Sequence, residues 1–141
     1  MREIKFRAWD RATNSMVTES WKLFLNGCVS IQDTWATSDV HLMQFTGLKD
    51  KNGKEIFEGD ILAHMSTRRA GYEKDGDTIY KKIVFGRSNP QCNSVTDYMG
   101  FWAVSLGDDD LSCGGSIGYQ TKSLGAVVIG NIHENPELLQ K

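Results

Sequence analysis

The sequence predicts a single domain built mainly of β-strands, a barrel or a sandwich, and three observations carry that expectation. Glycine is abundant at 14 and proline scarce at 2. No stretch of about 12 or more residues sustains the 3.6-residue apolar period of an amphipathic helix. Short apolar runs alternate instead with turn-forming Gly, Asn and Asp along much of the chain. A length of 141 residues fits one domain, 1–141, with a core of its own. Hydrophobic residues at 40% and charged residues at 24% exclude a disordered or fibrous chain.

The elements follow in order. Glu3 to Trp9 alternates Ile4, Phe6 and Ala8 with Lys5, Arg7 and Trp9, the pattern of a half-buried strand. The polar segment Asp10 to Ser15 reads as a turn. Trp21 to Leu25, Cys28 to Ile31 and Val40 to Phe45 are further strand candidates. Asp50 to Gly53 should turn the chain into a strand at Lys54 to Phe57, because Asp, Asn and Gly tolerate the positive φ of a tight turn. Gly59 supplies a second corner before the apolar strand Ile61 to Met65. Thr78 to Phe85 alternates Ile79, Lys81 and Ile83 with Tyr80, Lys82 and Val84; Phe101 to Leu106 and Ala126 to Ile132 follow as strands. Asn135-Pro136-Glu137 places a capping residue, a proline and an acid at the start of one closing helical turn.

No apolar run of signal-peptide or membrane-span length is present, so a cytoplasmic location without membrane association is expected. Cys28, Cys92 and Cys113 are odd in number and lie 64 and 21 residues apart, which matches no zinc spacing; free thiols are expected.

Four stretches together resemble the YopX family of small proteins encoded by phages and prophages: Ile4 to Asp10, Leu42 to Ile61, Val128 to Glu134 and Asn135 to Leu139. They occur in the family's order and span nearly the whole chain. The resemblance implies a compact β-rich domain with an SH3-like barrel at its core, extra N-terminal strands and a short C-terminal helical turn. It implies no activity, catalytic residue or ligand. Segments 66–76 and 87–118 lie outside the matching stretches.

The catalytic candidates are weak in context. Gly114 to Gly118 fits G-x-S-x-G, but no Asp or Glu lies between Ser116 and His133, and Tyr119 to Lys122 shows no amphipathic helix. Cys113 has no evident base beside it. Asp108, Asp109 and Asp110 are consecutive rather than spaced like cation ligands, so a solvated turn is expected. Glu55, Glu58 and Asp60 would make an acid and base pair only in unequal environments, and nothing in the sequence indicates burial. His41, His64 and His133 are isolated, and no phosphate-cradling glycine motif occurs. No cofactor or metal is therefore expected, and no enzymatic activity.

A charge asymmetry is the remaining signal. Between Ser66 and Arg87 lie Arg68, Arg69, Lys74, Lys81, Lys82 and Arg87 against Glu73, Asp75 and Asp77. From Ser88 to Thr121 there is no Lys or Arg, while Asp97 and Asp108 to Asp110 are acidic. The expected function is a non-enzymatic phage or prophage accessory protein that binds another macromolecule, a host or phage protein, through its variable loops. The alternative is nucleic-acid binding through a basic, aromatic hairpin carrying Arg68, Arg69, Tyr72, Tyr80, Lys81 and Lys82, although alternation puts Lys81 and Lys82 on opposite faces. Edge strands leave self-association open.

Overall fold

The computed structural model describes residues 3–17, 19, 21–24, 28–31, 34–35, 40–66, 76–87, 99–106 and 115–140. Eleven strands are described: β1 (Phe6–Asp10), β2 (Ser15–Val17), β3 (Trp21–Leu23), β4 (Val29–Ile31), β5 (Thr34–Trp35), β6 (Val40–Lys49), β7 (Glu55–Phe57), β8 (Asp60–Met65), β9 (Thr78–Arg87), β10 (Met99–Ser105) and β11 (Val127–Asn131). A short helix, α1 (Ile117–Lys122), precedes β11, and a 3-10 turn over Pro136–Gln140 closes the described chain. The fold is mainly β, in three antiparallel sheets ordered β2-β1-β6-β7, β10-β9-β8-β11 and β3-β4-β5, one of them curled into half a barrel.

The two corners form as the residues require. The amide of Asp50 donates to the Lys54 carbonyl at 2.8 Å, and Gly53 takes φ +85°. Gly59 takes φ +78°, which lets β7 break directly into β8 and pass from one four-stranded sheet to the other. Asn135 caps the closing turn through its carbonyl, which accepts the Leu138 N–H.

Strand β6 serves both cores because it bends. Its pairing with β7 slips between Phe45 and Lys49, around Gly47 at φ +84°. Thr46 Oγ1 holds the bend by donating to the Ile56 carbonyl at 2.8 Å and accepting the Leu48 N–H at 3.2 Å. One core holds Trp9, Met43, Phe45 and Phe57. The other holds Ile56, Leu62, Ile83, Ala103, Ile117 and Ala126, with Leu48, Phe101 and Val128 against it.

Three expectations are corrected. β1 is packed on both faces rather than half-buried, Ala8 being 0% exposed on one and Trp9 4% on the other, while Ile4 ahead of the strand is 71% exposed. Arg7 is tolerated there because Asp60 of β8 meets it. Tyr119 to Lys122 belongs to a helix, whose interior residues Ile117, Gln120 and Thr121 are spaced three and four apart. A single turn and a half is too short to show a period in the sequence. Asp60 is buried, at 1% exposure.

Candidate functional site

Polar chemistry concentrates first at the seam between the two four-stranded sheets. Arg7 Nη2 meets Asp60 Oδ1 at 2.5 Å, Asp60 Oδ2 accepts the Phe57 N–H at 2.8 Å, and the guanidinium lies 4.7 Å from the centre of the Phe57 ring. Burial pushes the Asp60 carboxyl above its ordinary value, and Arg7 opposes that push. Lys5 Nζ reaches Glu55 at 2.7 Å beside the Phe45 ring. Glu58 is half-buried, and its carboxyl is raised by desolvation. The three acids of 55–60 are thus separated in role: Glu55 pairs with Lys5, Asp60 with Arg7, and only Glu58 stands without a cation among the described ion pairs.

Two histidines that are far apart in sequence meet at the same seam. His133 stacks on Trp9 with ring centres 5.4 Å apart, and His41 lies 5.2 Å from His133. Desolvation holds the His133 pKa below its ordinary value, and His41, Arg7 and Arg11 add to the effect while Glu134 opposes it. The turn carrying His133 is fixed by Asn131, whose Oδ1 accepts the N–H groups of His133 and Glu134, both at 2.9 Å. No group of three or more potential metal ligands occurs among the described residues. His64 is buried elsewhere on β8, with Nδ1 3.0 Å from the Met65 carbonyl.

The basic segment is divided by the sheet. Arg68, Arg69 and Tyr72 lie outside the described residues. Tyr80, Lys81 and Lys82 fall on β9, an interior strand between β8 and β10. Tyr80 and Lys82 share one face; Lys81 is on the other, between buried Ile79 and Ile83, and donates to Ser105 Oγ at 2.7 Å. Cys92, Cys113 and Asp108 to Asp110 also lie outside the described residues, whereas Cys28 is exposed. Ser116 precedes α1 with relaxed extended backbone (φ −63°, ψ 129°) rather than a strained elbow.

An open groove lies where β6, β9, β10 and α1 converge. It encloses about 250 Å³ between Leu48, Phe85, Met99, Phe101 and Ile117, with Thr46 and Ser116 at its polar side. Phe85 is 46% and Met99 60% exposed, an arrangement that leaves apolar surface in water. Nothing in the sequence marks this groove, since Leu48, Phe101 and Ile117 are each an ordinary strand or helix residue and only the packing of α1 on β6 and β10 brings them together.

A family model described as "YopX protein" matches residues 5–140. The chain belongs to the YopX family. Its Arg7, Asp50, Asp60 and Asn131, all within the stretches that resemble that family, serve as joints of the fold, each holding backbone or side-chain groups from another element or turn. A structural neighbour is the crystal structure of protein EF1440 from Enterococcus faecalis, 29% identical over 99% of each chain with a TM-score of 0.50. A search of the curated proteins found no match. No helix among the described residues is long and apolar enough to cross a membrane.

Proposed function

We propose that this member of the YopX family is a non-enzymatic accessory protein of phage or prophage origin, working in the bacterial cytoplasm by binding another protein. The observation that supports it is the groove beside α1, where Phe85 and Met99 stand exposed beside an open recess of about 250 Å³. The curled sheet is, on this proposal, the opened form of an SH3-like barrel, with the groove mounted at its edge. The test is capture of partners from a lysate of the host with the wild-type chain and with Met99→Glu. A stoichiometric partner lost on the substitution, with unchanged melting of the variant, supports the proposal. Equal capture by both proteins, or turnover of a substrate abolished by a single substitution of an acid, serine or cysteine, overturns it.

Nucleic-acid binding is the second reading, favoured by the shared face of Tyr80 and Lys82 on β9. It requires affinity that falls steeply with salt and is lost with Tyr80→Ala and Lys82→Ala.

A further inference from the structure

Neither the joints of the fold nor the proposed function uses the two imidazoles gathered over Trp9. Their placement is set from both sides of the seam. His41 is the register partner of Trp9 in the β1–β6 ladder, so the two side chains stand on one face of that sheet. His133 arrives from the other sheet, in the turn after β11, and its ring lies on Trp9 at 15°. Backbone bonds tie that turn down. Asn131 Oδ1 accepts the His133 and Glu134 N–H groups, the Ile132 N–H donates to the Gly59 carbonyl at 2.9 Å, and the Asn135 N–H donates to the Asn131 carbonyl at 3.0 Å. The rings themselves are uncommitted. Their four nitrogens form none of the described hydrogen bonds, and none is a buried atom left without a partner, so water reaches them.

The spacing of the rings is the one a shared ion requires. A nitrogen bound at about 2.0 to 2.1 Å puts each ring centre about 3.2 Å from the ion, so two imidazoles at a tetrahedral angle have centres about 5.2 Å apart. His41 and His133 have centres 5.2 Å apart, and their 40° tilt differs from the near-parallel stack of His133 on Trp9. The surroundings favour the unprotonated, ligating form of His133. Desolvation and then His41, Arg7 and Arg11 hold its pKa below the ordinary value, while Glu134 opposes them and Arg7 is itself matched by Asp60. Imidazole nitrogen suits Cu²⁺, Ni²⁺ and Zn²⁺, whereas Mg²⁺ and Ca²⁺ need oxygen ligands. The nearest acid in sequence, Glu134, is taken by the Asn131 side-chain amide.

We infer that His41 and His133 together bind one divalent transition-metal ion, which clamps the closing turn to the β1–β6 sheet. With no third side-chain ligand among the described residues, water fills the remaining positions, and the site is open and exchangeable rather than a closed structural one. The inference stands apart from the groove and its function. The experiment titrates Cu²⁺, Ni²⁺, Zn²⁺ and Mg²⁺ calorimetrically into the full chain without an affinity tag, and into His41→Gln, His133→Gln and Cys28→Ser. All four proteins are also melted in chelator and in Zn²⁺. The expected result is one ion per chain, tightest for Cu²⁺, weaker for Ni²⁺ and Zn²⁺ and absent for Mg²⁺. Affinity should fall at least tenfold in each histidine variant, stay unchanged in Cys28→Ser, and weaken in the wild type below about pH 6.5 as protons compete. Zn²⁺ should raise the melting temperature of the wild type and leave that of His41→Gln unmoved. His41 is exposed, so His41→Gln decides alone where His133→Gln melts far below the wild type. No saturable binding overturns the inference, as does Mg²⁺ binding of equal strength or loss of the ion in Cys28→Ser. Wild-type affinity retained in His41→Gln makes the ion adventitious and overturns it too.

Discussion

Replacing Arg7 by leucine should be among the most destabilising single changes in this chain. Asp60 is 1% exposed, and its Oδ1 faces the Arg7 guanidinium at 2.5 Å, while Oδ2 keeps only the Phe57 N–H. Removing the cation leaves an ionised carboxylate buried with one hydrogen bond, which costs about 3 to 5 kcal/mol when a buried pair is broken from one side. Asp60 already has a raised pKa, since burial outweighs Arg7, and losing Arg7 raises it further. A raised folded-state pKa makes stability greatest below the unfolded value near 3.8 and lowers it as pH rises through the folded value. The variant's deficit should therefore be large near neutral pH and shrink on acidification, as Asp60 takes up a proton earlier than in the wild type. Urea unfolding followed by tryptophan fluorescence at neutral and mildly acidic pH measures both quantities. The double variant Arg7→Leu/Asp60→Leu should recover part of the loss, because both charges are gone, while the buried Phe57 N–H is left without its acceptor at a cost of about 1 to 3 kcal/mol. A deficit below about 1 kcal/mol, or one that stays constant with pH, would refute the buried-pair account.

Asp50→Ala should cost about 3 kcal/mol in the same assay, because three N–H groups lose a charged acceptor at once and Val128 is uncoupled from the β6–β7 turn. Burial raises the Asp50 pKa, but its three backbone donors, with Lys54, outweigh burial and leave it lowered, so its contribution is present above about 3.8 and fades as pH falls below that value. His133 should titrate below its ordinary value in an NMR pH series, mainly through desolvation and then His41; its stabilisation is full above about 6.5 and is lost as pH falls towards the folded pKa, and His133→Phe should flatten that part of the profile. Gly59→Ala and Gly53→Ala should each cost about 1 to 2 kcal/mol of left-handed strain by thermal melting, in similar amounts, because the new Cβ meets Ile132 only at an ordinary van der Waals distance of 3.4 Å at Gly59 and nothing within 4 Å at Gly53; a loss confined to one of them would refute the strain account.

Where the determinants are local, the sequence was sufficient. Asn52-Gly53 and Gly59 mark corners through backbone freedom alone, and Asn135-Pro136 announces the closing turn, so these features were readable residue by residue. Where a residue's environment is made by a distant strand, the reading failed. The partners of Lys5 and Arg7, Glu55 and Asp60, lie more than 45 residues away and only the fold brings them together. The burial of Asp60 depends on the same pairing, and His41 and His133 are isolated in sequence but adjacent over Trp9. The candidate groove is the extreme case, because α1 is too short to leave a periodic signal and its Ile117 acquires meaning only against Leu48 and Phe101.

The division between scaffold and surface has a consequence for substitution. Arg7, Asp50, Asp60 and Asn131 bridge elements from the interior, so changing any of them alters the fold that carries the groove. Phe85 and Met99 are exposed, and the side chain of Met99 forms none of the described hydrogen bonds that fix a turn or a strand. Surface changes of this kind usually stay within about 0.5 kcal/mol. Binding and stability should therefore separate cleanly here: a variant such as Met99→Glu that melts like the wild type but no longer captures a partner locates function in the groove, whereas Arg7→Leu would lose both together.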